Sequence, residues 1–230
     1  MAIDANVFIK KAFNFAKKYH GKDNTGHDFA HIMRVYENVC LLLKEVKKVD
    51  AFVVKMAAIL HDVDDRKLNF GEKQVGKFLQ KIKVPEEKSK QILETIYAID
   101  FGTTGSSPNF DTLEKAVLFD ADKLDAIGSI GICRTIMYGN SKSMKLFDAD
   151  IFPKKNLTKE EYRKLNRKDY TTINHFFDKL LKLSAIMQTK SGKKEAAKRQ
   201  KIMVQFLTEF FREQGQARWI AFLNGFLKKI

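Results

Sequence analysis

The stretch "AFVVKMAAILHDVDDRK", residues 51–67, decides the fold. From Ala51 to Leu60 only Lys55 is polar. A segment with no polar face has to be covered on every side, so it predicts a helix buried at the centre of a bundle. It then runs into His61 and Asp62, with Asp64 and Asp65 close behind. Ionisable groups at the end of a buried helix are costly unless they are paired or coordinated, and that cost points to chemistry.

Working outward, the spacing predicts helices on both sides. Val7, Phe8, Ala12, Phe15, Ala16 and Tyr19 recur at helical intervals, which predicts a helix over 4–20 ending near Gly21. Ile32, Val35, Tyr36, Val39, Leu42, Leu43 and Val46 predict a longer one over 27–48, with His27 and His31 on its inner edge. Two more follow over 71–82 and 86–99, the second starting after Pro85, which suits a first-turn position. "FGTTGSSPNF", residues 101–110, reads as an exposed loop. Residues 112–139 predict a helix to about Ile127, a break at Gly128 and a further helix to Gly139. Residues 140–157 read as irregular, and 158–187 and 193–229 as two long amphipathic segments joined by "TKSGKK". No repeat, low-complexity tract or composition shift marks a boundary, so residues 1–230 are expected to form a single all-α domain.

Composition agrees with this reading. With 44% hydrophobic residues in a chain of 230, a sizeable core is available, and 19 phenylalanines make it an aromatic one. Three prolines and 12 glycines leave long stretches free to be helical. The formal charge of +14 favours anionic partners, namely nucleotides, nucleic acid or a membrane surface, although solvated lysine-rich helix faces give the same balance. Cys40 and Cys133 are isolated, so neither a disulfide framework nor a thiolate zinc site is expected, and a reducing, cytoplasmic compartment fits. The first twenty residues alternate apolar residues with lysines, unlike a signal peptide, and no window holds the roughly 18 apolar residues that span a bilayer.

The chemistry-bearing residues fall on the core-forming helices. His31 comes early in one, His61 and Asp62 end the buried one, and Asp122 lies inside another mostly apolar segment. Two imidazoles and two carboxylates in such places call for a shared partner, and a divalent cation supplies one, because neutral imidazole and ionised carboxylate both donate to it. Ligands from one helix end and from each of two neighbours can converge while leaving positions open for water and substrate.

"HDFAHIMRV", "AAILHDVDDRK" and "DADKLDAIG" together resemble the HD-domain superfamily of metal-dependent phosphohydrolases, in a small bacterial-type branch. "NHFFDKLLKLSAIMQTKSGKKEAAKRQKIMVQFLTEF" is similar to that branch's C-terminal helices, so the resemblance spans roughly residues 5–215. It implies a single HD-type helical bundle. The metal site would be formed by the helices around 27–48, 51–65 and 112–127, with the helices of 158–229 packed on it. It also implies that His31, His61, Asp62 and Asp122 hold one divalent metal, with Asp120 and Asp125 as competitors for the last position. Asp122 fits best, because the motif resembles "ADKLDA" with the first acid as ligand, which leaves Asp125 one turn behind it.

By the same resemblance, Asp65 is the expected general base and Asp64 the alternative, each against a plain helix-ending or Arg66-pairing role. His27 is expected to hold substrate phosphate or to orient His31, while Asp28 favours the positive end of the helix dipole. Arg34 and Lys123 can reach phosphate oxygens or form surface salt bridges. Residues 154–168 carry seven Lys or Arg against two acids and 179–201 carry eight against one, and there Lys179, Lys182 and Arg199 match the branch's basic positions.

Mixed imidazole and carboxylate ligation suits Mn, Fe, Co, Ni or Zn better than Mg, and Mn is the expectation. The expected reaction is metal-assisted attack of water on phosphorus, with basic side chains offsetting charge on the equatorial oxygens. A nucleoside triphosphate cleaved to monophosphate and pyrophosphate is the first substrate reading, and a 5'-nucleotidase or phosphodiesterase of the same superfamily the second. Cyclic dinucleotides are disfavoured by the missing G-Y-P run after the HD pair, and alarmones by "HDVDDR" where that family shows Glu-Asp. A basic nucleic-acid-binding protein with a structural metal is the reading from another class, weakened by the lack of aromatics interleaved with the basic residues. The Phe206, Phe210, Phe211, Trp219 and Phe222 stripe suits a core or, alternatively, an oligomer surface.

Overall fold

The structure, a computed structural model, describes residues 4–20, 28–64, 73–100, 108–153 and 170–230. Among these there are ten α-helices, one 3-10 segment and no strand, as the sequence predicts for an all-α chain. None of these helices is long and apolar enough to cross a membrane. The chain divides into two compact units, residues 1–102 with 108–125, and residues 103–107 with 126–230.

The first unit holds α1 (Ala5–His20), α2 (Phe29–Leu42), α3 (Ala51–Leu60), α4 (Gln74–Lys81), α5 (Glu86–Asp100) and α6 (Leu113–Asp125). Val53, Val54, Met56, Ala57, Ala58, Ile59 and Leu60 of α3 are wholly buried, and α3 packs against α1, α2, α5 and α6. It is the central helix that its all-round apolar sequence predicts. Asp50 starts it by accepting the N–H groups of Phe52 and Val53 at 3.0 and 3.1 Å, and Lys88 holds that carboxylate at 2.5 Å. Burial raises the Asp50 carboxyl, but the Lys88 ammonium and the two N–H groups hold it below its usual value.

α2 is shorter at both ends than the predicted 27–48. It starts at Phe29, because Asp28 is the cap and accepts the His31 N–H at 2.8 Å. It stops at Leu42, after which the chain reverses through Lys48 in a left-handed conformation, φ 60°, to reach the next cap at Asp50. Asn38 Nδ2 donates to the Ala121 carbonyl at 3.0 Å and ties α2 to α6.

The second unit contains α7 (Gly128–Ser141), α8 (Asn174–Asp178), a 3-10 segment (Leu180–Ile186), α9 (Lys190–Glu213) and α10 (Ala217–Leu227). The predicted break at Gly128 is present, with φ +76°. The predicted long helix over 158–187 is corrected within its described part. Thr171 bonds Asn174 through both the side-chain oxygen at 2.8 Å and the backbone N–H at 3.3 Å, and such local bonds compete with a continuous helix, leaving a five-residue turn and a 3-10 segment. Residues 158–169 lie outside the described residues.

The predicted 193–229 helix is likewise two helices, parted where Gly215 takes φ +66°. "TKSGKK" is no joint, because Thr189 caps α9 through the Gly192 N–H at 2.9 Å and the motif forms the helix's first turn. The C-terminal aromatic stripe is core. Trp219 is wholly buried, stacks on Phe152 with centroids 4.3 Å apart, and donates from Nε1 to the Ala149 carbonyl at 3.0 Å. Phe211 is buried beside it, while Phe206, Phe210 and Phe222 extend the cluster outward.

Candidate metal centre

Three helices of the first unit bring donors to one place. His31 lies on the first turn of α2, His61 and Asp62 follow the last residue of α3, and Asp122 lies near the end of α6. His31, His61 and Asp122 each offer a donor atom, all within 4.8 Å of one another. Asp62 is outside that tight group, yet its oxygens face both rings, Oδ2 at 3.4 Å from His31 Nε2 and Oδ1 at 3.3 Å from His61 Nε2. Asp122 Oδ1 lies 3.6 Å from His31 Nε2 and 4.0 Å from His61 Nε2.

The outer nitrogen of each ring fixes how the ring is presented. His61 Nδ1 lies 3.0 Å from the Ala58 carbonyl, which can only accept, so Nδ1 carries hydrogen and Nε2 turns to the carboxylates. His61 Nε2 is buried there without a hydrogen-bond partner. His31 is arranged alike, with Nδ1 2.7 Å from Asp125 Oδ2.

The electrostatics favour a positive charge at this point. Burial by itself would lower His31; hydrogen bonds to Asp125 and Asp62 and the charges of Asp122 and Asp62 override it and push the imidazole up to about 9. Burial raises the Asp122 carboxyl, but Lys123 above all, with His61 and His31, pulls it well below the usual carboxylate range in spite of Asp62. A donor set of two imidazoles and ionised carboxylates, with the buried His61 Nε2 lacking a hydrogen bond, is what a divalent cation requires. The residues present therefore fit such an ion.

The remaining expected site residues fall into five groups. Arg34 reaches Asp125, with Nε 2.6 Å from Oδ1, and Lys123 Nζ lies 2.7 Å from Asp122 Oδ2. Asp64 is bonded to α4 and Tyr97 rather than directed at the donor group. His27 and Asp65 lie outside the described residues. Lys179, Lys182 and Arg199 belong to the second unit, where Arg199 Nε binds Glu195 at 3.1 Å and the Arg199 stem crosses Gly128. Asp120 is wholly buried and is not one of the clustered donors. The sequence reading missed Asn38 and Tyr97. Asn38 had a legible signal, since it is an amide seven residues after His31 in an otherwise apolar stripe.

No family model matches the chain. Solved structures do. An HD-superfamily hydrolase from Bacillus thuringiensis is 33% identical, with 92% of this chain and 98% of that one covered and a TM-score of 0.73. A protein from Lactobacillus plantarum is 31% identical over 94% and 99% of the two chains, with a TM-score of 0.78. YpgQ of Bacillus subtilis, in a complex with ADP, is 25% identical over 89% and 97%, with a TM-score of 0.68. An all-α fold with a buried histidine and carboxylate centre defines the class, metal-dependent hydrolases. Within that class the chain belongs to the HD superfamily, a family of phosphohydrolases.

Proposed function

We propose that this enzyme hydrolyses a nucleoside triphosphate to monophosphate and pyrophosphate, with His31, His61, Asp62 and Asp122 holding one divalent cation. The observation that carries the reading is the grouping of His31, His61 and Asp122 donors within 4.8 Å, with His61 Nε2 buried and lacking a hydrogen bond. The ADP complex of YpgQ and the +14 charge support a nucleotide. Two imidazole donors favour Mn over Mg.

When bound, the cation supplies Lewis acidity toward a phosphate oxygen and water. The chain's own residues supply the rest. The Ala58 carbonyl and Asp125 keep both Nε2 lone pairs facing inward, and Lys123 keeps Asp122 ionised. Lys123 also stands beside the donor group, Nζ 2.7 Å from Asp122 Oδ2, and we assign it, with His27, to a phosphate oxygen, where charge gathers in the transition state. Asp65 takes the proton of the attacking water.

The test is release of phosphate and pyrophosphate from dNTPs, NTPs and NMPs with Mn²⁺, native protein against His61→Ala with Asp62→Ala. Pyrophosphate from triphosphates, lost in the double variant, is expected. Phosphate from monophosphates would instead favour a 5'-nucleotidase. No turnover, with salt-sensitive binding of DNA or RNA, would favour the nucleic-acid-binding reading.

A further inference from the structure

Behind His31 stand the carboxylate that aims its ring and a guanidinium, Arg34, that the proposed reaction does not use. Asp125 is 1% exposed and lies 94 residues along the chain from His31, whose Nδ1 is 2.7 Å from its Oδ2. Arg34, one turn after His31 on α2, grips the same carboxylate with Nε 2.6 Å from Oδ1 and Nη2 3.2 Å from Oδ2. Both oxygens are thus held by one planar fork, which fixes the carboxylate plane as well as its place.

We propose that Asp125 and Arg34 are positioning residues for the metal centre: Arg34 fixes the Asp125 carboxylate, Asp125 fixes the His31 ring, and the pair thereby sets the cation affinity without touching cation or substrate. This rests on the metal reading given above. An ionised carboxylate only accepts, so His31 keeps its hydrogen on Nδ1 and directs Nε2 toward Asp62 and Asp122. Without Asp125 the ring is free to take the other tautomer or to rotate, and either change spoils the donor before any substrate arrives. Sending Arg34 to a substrate phosphate would strip a buried carboxylate of its cation, which is strongly unfavourable. Lysine cannot replace it fully, because a point charge cannot hold both oxygens in plane.

The experiment is calorimetric titration of the full chain with Mn²⁺ and no nucleotide, for native protein, Asp125→Asn, Arg34→Gln, Arg34→Lys and the ligand control His61→Ala. KM for the nucleotide is then measured at saturating Mn²⁺. Asp125→Asn and Arg34→Gln should weaken Mn²⁺ binding about 10–100-fold, the range for loss of a ligand's orienting partner. Arg34→Lys should recover only part of that loss, and KM should stay near native in both Arg34 variants. If Asp125→Asn does not fold, the two Arg34 variants decide the matter. Native Mn²⁺ affinity in both, with KM raised, would overturn the inference and make Arg34 a substrate contact, while a loss in His61→Ala would leave the metal reading standing. A native protein that takes up no Mn²⁺ would overturn the metal reading and this inference together.

Discussion

Asp64 and Gln74 are joined by a 2.7 Å hydrogen bond from the Gln74 backbone N–H to Asp64 Oδ1, so an acid just past α3 caps a helix that begins ten residues later. The Val75 N–H adds a 3.2 Å bond to the same oxygen, and the Tyr97 hydroxyl donates to Oδ2 at 3.2 Å. Both oxygens are thus engaged in holding α4 and α5. Asp64→Ala should cost about 1–2 kcal/mol of stability, as loss of an N-terminal cap does. Urea unfolding followed by circular dichroism measures it. Unchanged stability with abolished turnover would instead make Asp64 the base.

Asp122→Asn keeps the shape of the donor group and removes its charge. It should lower Mn²⁺ affinity by more than the roughly 10–100-fold of an orienting partner, because a donor itself is changed. Metal content after dialysis against Mn²⁺, read by atomic emission beside the native protein, checks this. Native content in the variant would mean that Asp122 is not a ligand.

His175 gives the second unit a pH dependence. Burial first, and then the Lys179 ammonium, lower its imidazole to about 4. Between the unfolded value of about 6.5 and that figure, the unfolded chain binds a proton that the folded chain does not, so stability falls as pH falls through this window. The whole effect is about 3 kcal/mol at about 1.4 kcal/mol per pH unit. The Asp178 carboxyl, raised chiefly by burial, acts in the opposite direction, so the comparison has to be with a variant. His175→Gln should show a shallower loss of stability between pH 6.5 and 4. Equal slopes would show that His175 is protonated in the folded state.

Gly139 is where α7 meets Thr172. A Cβ added at Gly139 would lie 2.1 Å from Thr172 Oγ1 and 2.9 Å from Cγ2. Gly139→Ala should therefore destabilise by about 1–3 kcal/mol, the usual cost of overpacking. Thr172→Ala removes these two atoms and leaves only its Cβ, 3.0 Å away, so the double variant should be less destabilised than the sum of the singles. Thermal melts of the four proteins give the coupling, and strict additivity would refute the clash.

What the sequence makes legible follows from how local the cause is. α3 is recognisable because ten residues with one polar exception leave no alternative to burial, and α1 and α6 follow from period alone. The donor residues are legible because imidazoles and acids stand out against that apolar background. The split of the C-terminal region is harder to read, since Gly215 looks like any tolerated helix glycine until its positive φ is known, and Thr171 accepts the Asn174 N–H only once its rotamer is fixed. The partners of Arg34 and Asp64 are illegible for another reason. Arg34 meets an acid 91 residues away and Asp64 a backbone N–H ten residues on, so only the folded packing brings either pair together.

The donors of the metal centre come from α2, the end of α3 and α6, stretches separated by long runs of chain. A cation gripping all of them closes those runs into loops, and an ion that prefers the folded over the unfolded chain adds to stability by mass action. At a free concentration a hundred times Kd that addition is about 2.7 kcal/mol. The melting temperature should then rise with the free divalent ion and drop on chelation, making the metal economy of its surroundings a determinant of how much folded enzyme survives.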